Sequence, residues 1–214
     1  MLRRQVSIYL NGEISPADRP MSGSRRLLIA VDGGARHLRA IDILPDMLIG
    51  DLDSITEEDR AWCEAGDVEI RQYPAEKDDT DFELALRFAL GRSNGMVHVY
   101  GGLGGRLDHT IANISVLAGP AQVGRQVELR RGEERVFFVG QHIQITSPSG
   151  TLLSLLPWGE PCTGISTSGL RYPLDEETLF PEHSRGVSNE LLTGTAEIRC
   201  RKGNLLCIVH PSSY

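Results

Sequence analysis

The chain has 214 residues, of which 29 are Asp or Glu and 22 are Lys or Arg, giving a formal net charge of −7 and a hydrophobic content of 40%. This composition excludes disordered and fibrous proteins and predicts a globular chain with enough apolar side chains for a core. It also argues against a nucleic-acid partner, because binding a duplex requires clustered Lys and Arg to neutralise its phosphates.

The apolar residues indicate no membrane segment. No stretch approaches the ~18 uninterrupted apolar residues of a membrane span, and no signal-peptide hydrophobic region follows the N-terminus. We therefore expect a cytoplasmic protein without a membrane partner. The four cysteines form neither a C-x-x-C pair nor a metal-binding spacing with histidine, so we expect buried free thiols.

The first half of the chain alternates short apolar runs with amphipathic segments. Strands are predicted at residues 6–10, 27–31, 47–50, 68–73 and 96–100. Helices are predicted at 34–41, 56–65, 80–91 and 106–117, the last closed by Gly119-Pro120. Ser54 or Thr56 is expected to cap the second helix, and Asp78 or Asp79 the third. This alternation predicts an α/β fold with a mainly parallel sheet flanked by helices on both faces.

After Gly124 the pattern changes to short strands separated by Gly, Pro and Ser turns. These strands are predicted at residues 127–130, 135–139, 142–146, 151–156, 194–200 and 205–210. The spacing suits an antiparallel sandwich or barrel, and we predict a smaller all-β sandwich. Two hydroxyl-rich stretches, 164–173 and 186–190, are taken on their own as ordinary loops. The predicted domains are residues 1–124 and 125–214.

Aspartates concentrate in the first half, where residues 1–124 hold 19 acidic and 13 basic side chains. Asp32-Gly-Gly follows a predicted strand, so its carboxylate lies at a strand end where glycines admit a ligand closely, although a plain turn explains it equally well. In the segment from Gly50 to Ser54, Asp51 and Asp53 point to the same side of an extended chain. Two such oxygen ligands suit Mg²⁺ carrying phosphates; the alternative is a turn and helix cap.

Two further motifs precede predicted helices. The acidic run from Lys77 to Glu83 could cap a helix and favour its positive end, while Lys77, one of only two lysines, could balance that charge. The glycine-rich segment 100–109 offers backbone N–H groups as an anion site, with Arg106 as a forked phosphate contact. His109, taken alone, is interpreted as a capping or helix-facing residue.

Together these motifs resemble the thiamine pyrophosphokinase family over essentially the whole chain. The resemblance rests on their order: D-G-G-A at 32–35, P-D-x-x-x-G-D-x-D-S at 45–54, K-D-x-T-D-x-E at 77–83, G-G-x-G-G-R-x-D-H at 101–109, S-T-S-G-L at 166–170 and S-N at 188–189. It implies transfer of a pyrophosphoryl group from ATP to the hydroxyethyl oxygen of thiamine, giving thiamine diphosphate and AMP.

The resemblance also implies roles for individual residues. Asp51, Asp53 and Asp81 would be the catalytic residues and hold Mg²⁺, and we predict Asp51 or Asp81 as acceptor of the hydroxyl proton. Tyr172 stands where some members have tryptophan and would stack on a heterocycle. The predicted contacts to substrate or nucleotide are Asp32, Gly33, Gly34, Lys77, Asp78, Thr80, Gly104, Arg106, Asp108, His109, Ser168, Tyr172, Ser188 and Asn189.

The family resemblance further implies an assembly and leaves two competing functions. It implies a homodimer in which each site forms between the α/β nucleotide-binding catalytic domain of one subunit and the β domain of the other, which binds thiamine and mediates dimerisation. The competing enzyme is a Mg²⁺-dependent phosphohydrolase with Asp51 as nucleophile and Asp53 as acid and base. The competing non-enzyme is a nucleotide or metal sensor that binds without turnover.

Overall fold

The chain folds into two compact units. The computed structural model describes residues 5–20 and 26–210. The first unit ends at Val116 and also includes Glu128–Gly132, and the second comprises Leu117–Val127 and the chain from Glu133 onward. The predicted boundary between residues 124 and 125 lies in the connection between a helix, Ala118–Gln122, and a strand, Val127–Arg131. The functions assigned to the two predicted domains remain predictions.

The first unit is built on a mainly parallel sheet, as predicted. Its strands are β1 (Gln5–Tyr9), β2 (Arg26–Val31), β3 (Met47–Gly50), β4 (Glu69–Gln72), β5 (Val97–Tyr100) and β6 (Val127–Arg131). They lie in the order β6-β5-β1-β2-β3-β4, and the five strands from β5 to β4 are parallel. The carboxyl ends of these five strands therefore meet at one edge of the sheet.

The helices of the first unit follow these strand ends. They are α1 (Ala35–Arg39), α2 (Glu57–Ala65), α3 (Asp81–Arg92) and α4 (Leu107–Val116). Thr56 caps α2, which is one of the two predicted possibilities. The prediction that Asp78 or Asp79 caps α3 is wrong, because the Thr80 side chain accepts the hydrogen bond from the Glu83 N–H.

The end of the fourth predicted helix also differs from expectation. Gly119-Pro120 lies inside a short helix α5 (Ala118–Gln122), after α4 has already ended. Pro120 is tolerated there because it occupies the first turn, where a backbone N–H has no partner within the helix.

The second unit is the predicted antiparallel sandwich. It contains β7 (Glu134–Val139), β8 (His142–Thr146), β9 (Leu152–Pro157), β10 (Cys162–Ser168), β11 (Glu177–Leu179), β12 (Asn189–Glu190), β13 (Thr195–Lys202) and β14 (Leu205–Val209). Within this unit the strands form two sheets, β12-β9-β14-β7 and β11-β10-β13-β8. Apolar side chains from both sheets fill one core, among them Phe137, Leu153 and Ile198.

Three strands of the sandwich, β10, β11 and β12, were not predicted. The strand β10 pairs with β13 across most of its length although its sequence, CTGISTS, is rich in hydroxyl groups. Only Cys162 and Ile165 of this strand are buried, so it lacks the apolar alternation that marks a strand in sequence. The interpretation of residues 164–173 as an ordinary loop is therefore wrong for the first five of them, and that of residues 186–190 is wrong for the last two, which form β12.

Two expectations concern the whole chain. All four cysteines are buried and free, as predicted. Within residues 5–20 and 26–210, no helix has both the length and the apolar composition needed to cross a membrane.

Candidate active site

The first residue of the site, Asp32, directly follows the carboxyl end of β2. It is almost completely buried, and its Oδ1 accepts a hydrogen bond of 2.9 Å from the Leu52 N–H. Burial disfavours the charged carboxylate and raises the pKa of Asp32 to about 7. A Cβ atom at Gly50 would lie 1.7 Å from Asp32 Oδ1, so the position of this carboxylate requires glycine at residue 50.

Asp51 and Asp53 follow β3, the neighbouring strand. The Asp53 N–H donates a hydrogen bond of 3.1 Å to Asp51 Oδ1, and this bond lowers the pKa of Asp51. The Asp53 side chain is more exposed, and the negative charge of Asp51 raises its pKa. Asp51 is therefore the member of the pair that favours the charged form.

Asp81 is the first residue of α3, and Lys77 lies in the connection that precedes this helix. Lys77 Nζ lies 3.1 Å from Asp81 Oδ1 and 3.6 Å from Asp51 Oδ2. Partial burial lowers the pKa of Lys77, but the contacts with Asp81 and the negative charges of Asp51 and Asp32 together outweigh it, so the pKa lies above the ordinary lysine value. The structure thus brings a cation and two carboxylates together from separate segments.

Three carboxylates converge at this edge of the sheet. One oxygen each from Asp32, Asp51 and Asp81 lies within 4.8 Å of the other two. Carboxylate oxygens are the ligands that Mg²⁺ prefers, and Asp81 Oδ1 is shielded from solvent, with the Lys77 ammonium 3.1 Å away. The donor set therefore fits a hard divalent cation. Asp32, predicted as a substrate or nucleotide contact, belongs to this group of three, whereas Asp53, predicted as a ligand, is not part of it.

The glycine-rich segment after β5 leads into α4. Gly101, Gly104 and Gly105 have positive φ angles of 72°, 84° and 69°, conformations that glycine adopts without strain. Arg106 donates two hydrogen bonds to Asp108, at 3.1 and 2.6 Å, and this contact lowers the pKa of Asp108 to about 2. The forked guanidinium that sequence analysis predicted for phosphate is thus paired with a carboxylate of its own segment.

Other predicted residues of the first unit have structural contacts. Gly33 and Gly34 are buried in a 3-10 turn after β2, and the Gly33 N–H donates to Ser54 Oγ at 3.3 Å. Thr80 is the cap of α3. Asp78 and His109 are exposed.

Asn11 lies at the same edge and was not singled out from the sequence. Arg36 Nη2 donates a hydrogen bond of 2.6 Å to its backbone oxygen, and a Cβ atom at Gly33 would lie 2.6 Å from its side chain. The signal was an Asn-Gly pair directly after the first apolar run. This location next to the Asp-Gly-Gly turn makes Asn11 a further candidate for ligand contact.

Among the predicted residues of the second unit, Asn189 contacts Tyr172. Its side chain accepts from the Tyr172 N–H at 3.1 Å and donates to the Tyr172 oxygen at 2.7 Å. Tyr172 itself is 62% exposed, Ser168 ends β10 with an exposed side chain, and Ser188 donates its N–H to Ser154 Oγ. Asn189 thus fixes the backbone that carries an exposed aromatic ring.

Comparisons with known proteins cover both units. Residues 21–129 match the family model described as thiamin pyrophosphokinase, catalytic domain, and residues 141–205 match the vitamin B1 binding domain of thiamin pyrophosphokinase. A thiamine pyrophosphokinase of Bacillus subtilis (strain 168) is 30% identical over 184 residues, covering 85% of this chain and 86% of that protein. Thiamine pyrophosphokinase 1 of Oryza sativa subsp. japonica is 30% identical over 175 residues, covering 76% of this chain and 64% of that protein.

Solved structures give the same result for the fold. The crystal structure of thiamine pyrophosphokinase from Bacillus subtilis matches with a TM-score of 0.87 and 27% identity, covering 96% of this chain and 98% of that one. The yeast thiamin pyrophosphokinase structure has a TM-score of 0.78 at 18% identity, covering 97% of this chain and 86% of that one, and this likeness concerns the fold alone.

Proposed function

The chain belongs to the thiamine pyrophosphokinase family, and we propose that Asp32, Asp51 and Asp81 bind the divalent cation that accompanies ATP. It is a thiamine diphosphokinase, which converts ATP and thiamine to AMP and thiamine diphosphate. The observation that supports the cation site is the convergence of three carboxylates from separate segments of the chain.

The products define which bonds change. Formation of thiamine diphosphate and AMP requires the hydroxyethyl oxygen of thiamine to attack the β-phosphorus of ATP. The bond from that phosphorus to the oxygen of the α-phosphate breaks, and AMP leaves with the electron pair. The hydroxyl proton passes to a carboxylate, for which we propose Asp51 or Asp81.

The side chains act mainly by positioning and by neutralising charge. Such displacements need the reactants in line and the oxygen charges compensated more than they need a covalent intermediate. A bound Mg²⁺ would supply charge neutralisation at the phosphate oxygens. Asp53, exposed beside Asp51, is retained as a proposed further ligand. The Leu52 N–H holds Asp32 in place, and the cap at Thr80 fixes the start of the helix that carries Asp81.

The remaining predicted residues are assigned to the two substrates. We propose that Lys77, Arg106 and the glycine segment around Gly104 contact phosphates, with Asp78 and His109 at the edge of that region. Asp108 is proposed to lie near the nucleotide or the thiamine. The exposed face of Tyr172 is proposed to stack on a thiamine ring, with Ser168 and Ser188 beside it.

A homodimer with shared sites is the proposed assembly. The family resemblance supports it, as does α4, which has no fully buried residue and leaves Leu107 71% exposed and Ile111 46% exposed. Exposed apolar side chains on one helix are typical of surfaces that another chain covers.

A cytoplasmic location is proposed because the four cysteines are free, as in reducing compartments.

The test of this function is AMP release from ATP on addition of thiamine. We expect release that requires Mg²⁺, stops with EDTA and falls by about 10²-fold or more in Asp81→Asn. Asp42→Asn is the matched control, because Asp42 is exposed and its positive φ of 53° suits asparagine.

The alternatives predict other results. Thiamine-independent phosphate release with a trapped aspartyl phosphate would support the phosphohydrolase. Saturable binding of ATP and thiamine without AMP release would support the sensor. Full activity in EDTA would contradict the cation site.

A further inference from the structure

Both cations proposed for phosphate binding are paired with carboxylates of the chain itself. Lys77 lies between Asp51 and Asp81, and Arg106 is paired with Asp108. The two pairs differ in their surroundings. The Arg106 and Asp108 side chains are 70% and 63% exposed, whereas those of Lys77 and Asp81 are 15% and 20% exposed. The pair at Lys77 therefore occupies the carboxylate site itself rather than its surface.

Three oxygen atoms surround the Lys77 ammonium. They are the Pro74 carbonyl oxygen at 2.9 Å, Asp81 Oδ1 at 3.1 Å and Asp51 Oδ2 at 3.6 Å. Both of these carboxylates, Asp51 and Asp81, belong to the group of three proposed to hold the cation. A divalent ion bound by the same carboxylates would lie close to the ammonium, and the like charges would repel each other strongly in this partly buried place.

We propose that Lys77 is an internal counter-cation that a divalent cation displaces and that then binds a phosphate of ATP. This inference rests on the proposed function, since it concerns the same carboxylates. Before ligands bind, the ammonium reduces repulsion between Asp51 and Asp81. The lysine side chain has a flexible four-carbon stem and three rotatable donors, so it can turn from carboxylate to phosphate oxygens without moving the backbone.

The displacement makes cation and nucleotide binding interdependent. A cation arriving alone must separate Lys77 from its carboxylates and leaves the ammonium without an acidic partner. A cation arriving with ATP brings phosphate oxygens that accept the ammonium. The protein should therefore bind the metal–nucleotide complex much more tightly than the free metal.

The first experiment measures Mn²⁺ binding to the nucleotide-free protein by calorimetry at pH 8. In Lys77→Gln we expect Mn²⁺ to bind at least about tenfold more tightly than in the wild type, because a competing positive charge is gone. The same variant should bind the Mn²⁺ complex of a non-hydrolysable ATP analogue more weakly. Arg87→Gln is the matched control, since Arg87 is an exposed cation of α3 whose partner is Asp79, at 3.0 Å.

A second experiment uses the wild-type protein and does not depend on a variant. Lys77 and Lys202 are the only lysines in the sequence, and Lys202 is exposed, so it is an internal reference for amine labelling followed by mass spectrometry. The ratio of Lys77 to Lys202 labelling should rise severalfold when Mg²⁺ is added alone at constant ionic strength. It should fall again when the ATP analogue is added with Mg²⁺.

The outcomes separate this inference from the proposed function. If Mn²⁺ binds equally to the wild type and Lys77→Gln, or if saturating Mg²⁺ leaves the labelling ratio unchanged, the displacement of Lys77 is wrong while the cation site stands. If Mn²⁺ binds to neither protein, even with the ATP analogue, the cation site fails and the inference fails with it. Should Lys77→Gln not fold, the labelling ratio decides.

Discussion

Asp32, Asp51 and Asp81 carry the same functional group in three different environments. Asp32 is buried and its pKa is raised, whereas the Asp53 N–H lowers the pKa of Asp51. Asp81 pairs with Lys77. The chemistry available at each position is therefore set by the burial and the neighbours that the fold gives to each carboxylate.

The raised pKa of Asp32 predicts a pH dependence of stability. Between its ordinary value of 3.8 and about 7, the folded protein keeps a proton on Asp32 that the unfolded chain has released. Stability therefore falls as pH rises through this window, by about 2–4 kcal/mol from this residue. In EDTA, the free energy of unfolding of Asp32→Asn should exceed that of the wild type by more at pH 8 than at pH 4.

Urea unfolding at the two pH values measures this difference. Comparison between the wild type and Asp32→Asn removes the contributions of the other carboxylates, which are common to both proteins. A difference that stays constant from pH 4 to pH 8 would contradict the raised pKa.

Asn189 provides a second prediction about a single residue. Asn189→Asp replaces the donor to the Tyr172 oxygen by a carboxylate, which we expect to destabilise the protein by about 1–3 kcal/mol. Because the displaced segment carries the Tyr172 ring, the KM for thiamine should rise while the KM for ATP stays unchanged. Asn94→Asp, at an exposed position, is the control. Equal increases in both KM values would show that Asn189 has no specific role in thiamine binding.

At the scale of elements, α3 begins at Asp81, and the acidic segment that starts at Lys77 leads directly into it. Its cap, Thr80, directly precedes Asp81, so the residue that ends the loop also orients the first carboxylate of the helix. The hydrogen bond from the Glu83 N–H to Thr80 therefore also helps to position Asp81 relative to Asp32 and Asp51. The same logic holds for β3, whose last residue, Gly50, leaves space for the Asp32 carboxylate.

Replacing the cap tests this connection. Thr80→Ala removes the acceptor for the Glu83 N–H, so we expect a loss of about 1 kcal/mol in unfolding free energy and weaker Mn²⁺ binding. Thr80→Ser and Thr80→Asn keep an acceptor and should restore both properties. If neither restores Mn²⁺ binding while stability recovers, Thr80 acts through a ligand contact instead of the cap.

At the scale of the whole molecule, the two units carry different parts of the proposed chemistry. The three carboxylates and the cations proposed to bind phosphate belong to the first unit, and Tyr172 and Asn189 belong to the second. A protein that divides its substrates in this way can complete a site with residues from a second subunit. Subunit mixing distinguishes that arrangement from a site complete in one chain.

The proposed shared site predicts complementation between inactive variants. Asp81→Asn and Tyr172→Ala are each expected to lose most activity, and an equal mixture of the two, after subunit exchange, should recover about a quarter of wild-type activity. Mixed dimers are half of the total, and each contains one intact site. Differently tagged subunits verify the exchange by mass spectrometry. Confirmed mixed dimers without recovered activity would contradict a site shared between subunits.

The local sequence determined most of the strands and helices of the first unit. Apolar runs bounded by glycine and aspartate located all five parallel strands of the first unit, and helix periodicity located α2, α3 and α4, because these signals depend on neighbours in the chain. The acidic and glycine motifs identified the family by their order. The local pattern does not predict strand β10, because its hydroxyl-rich sequence is stabilised as a strand by pairing with β13, about 35 residues away.

Only the tertiary structure decided how the motifs combine. The sequence placed Asp51 with Asp53 because they are two residues apart, whereas the parallel sheet brings Asp32 and Asp81 to within 4.8 Å of Asp51 from 19 and 30 residues away. The tertiary structure also places Lys77 between Asp51 and Asp81. The physical reason is that parallel strands align their carboxyl ends whatever the length of chain between them, so proximity in the site follows strand order and not sequence distance.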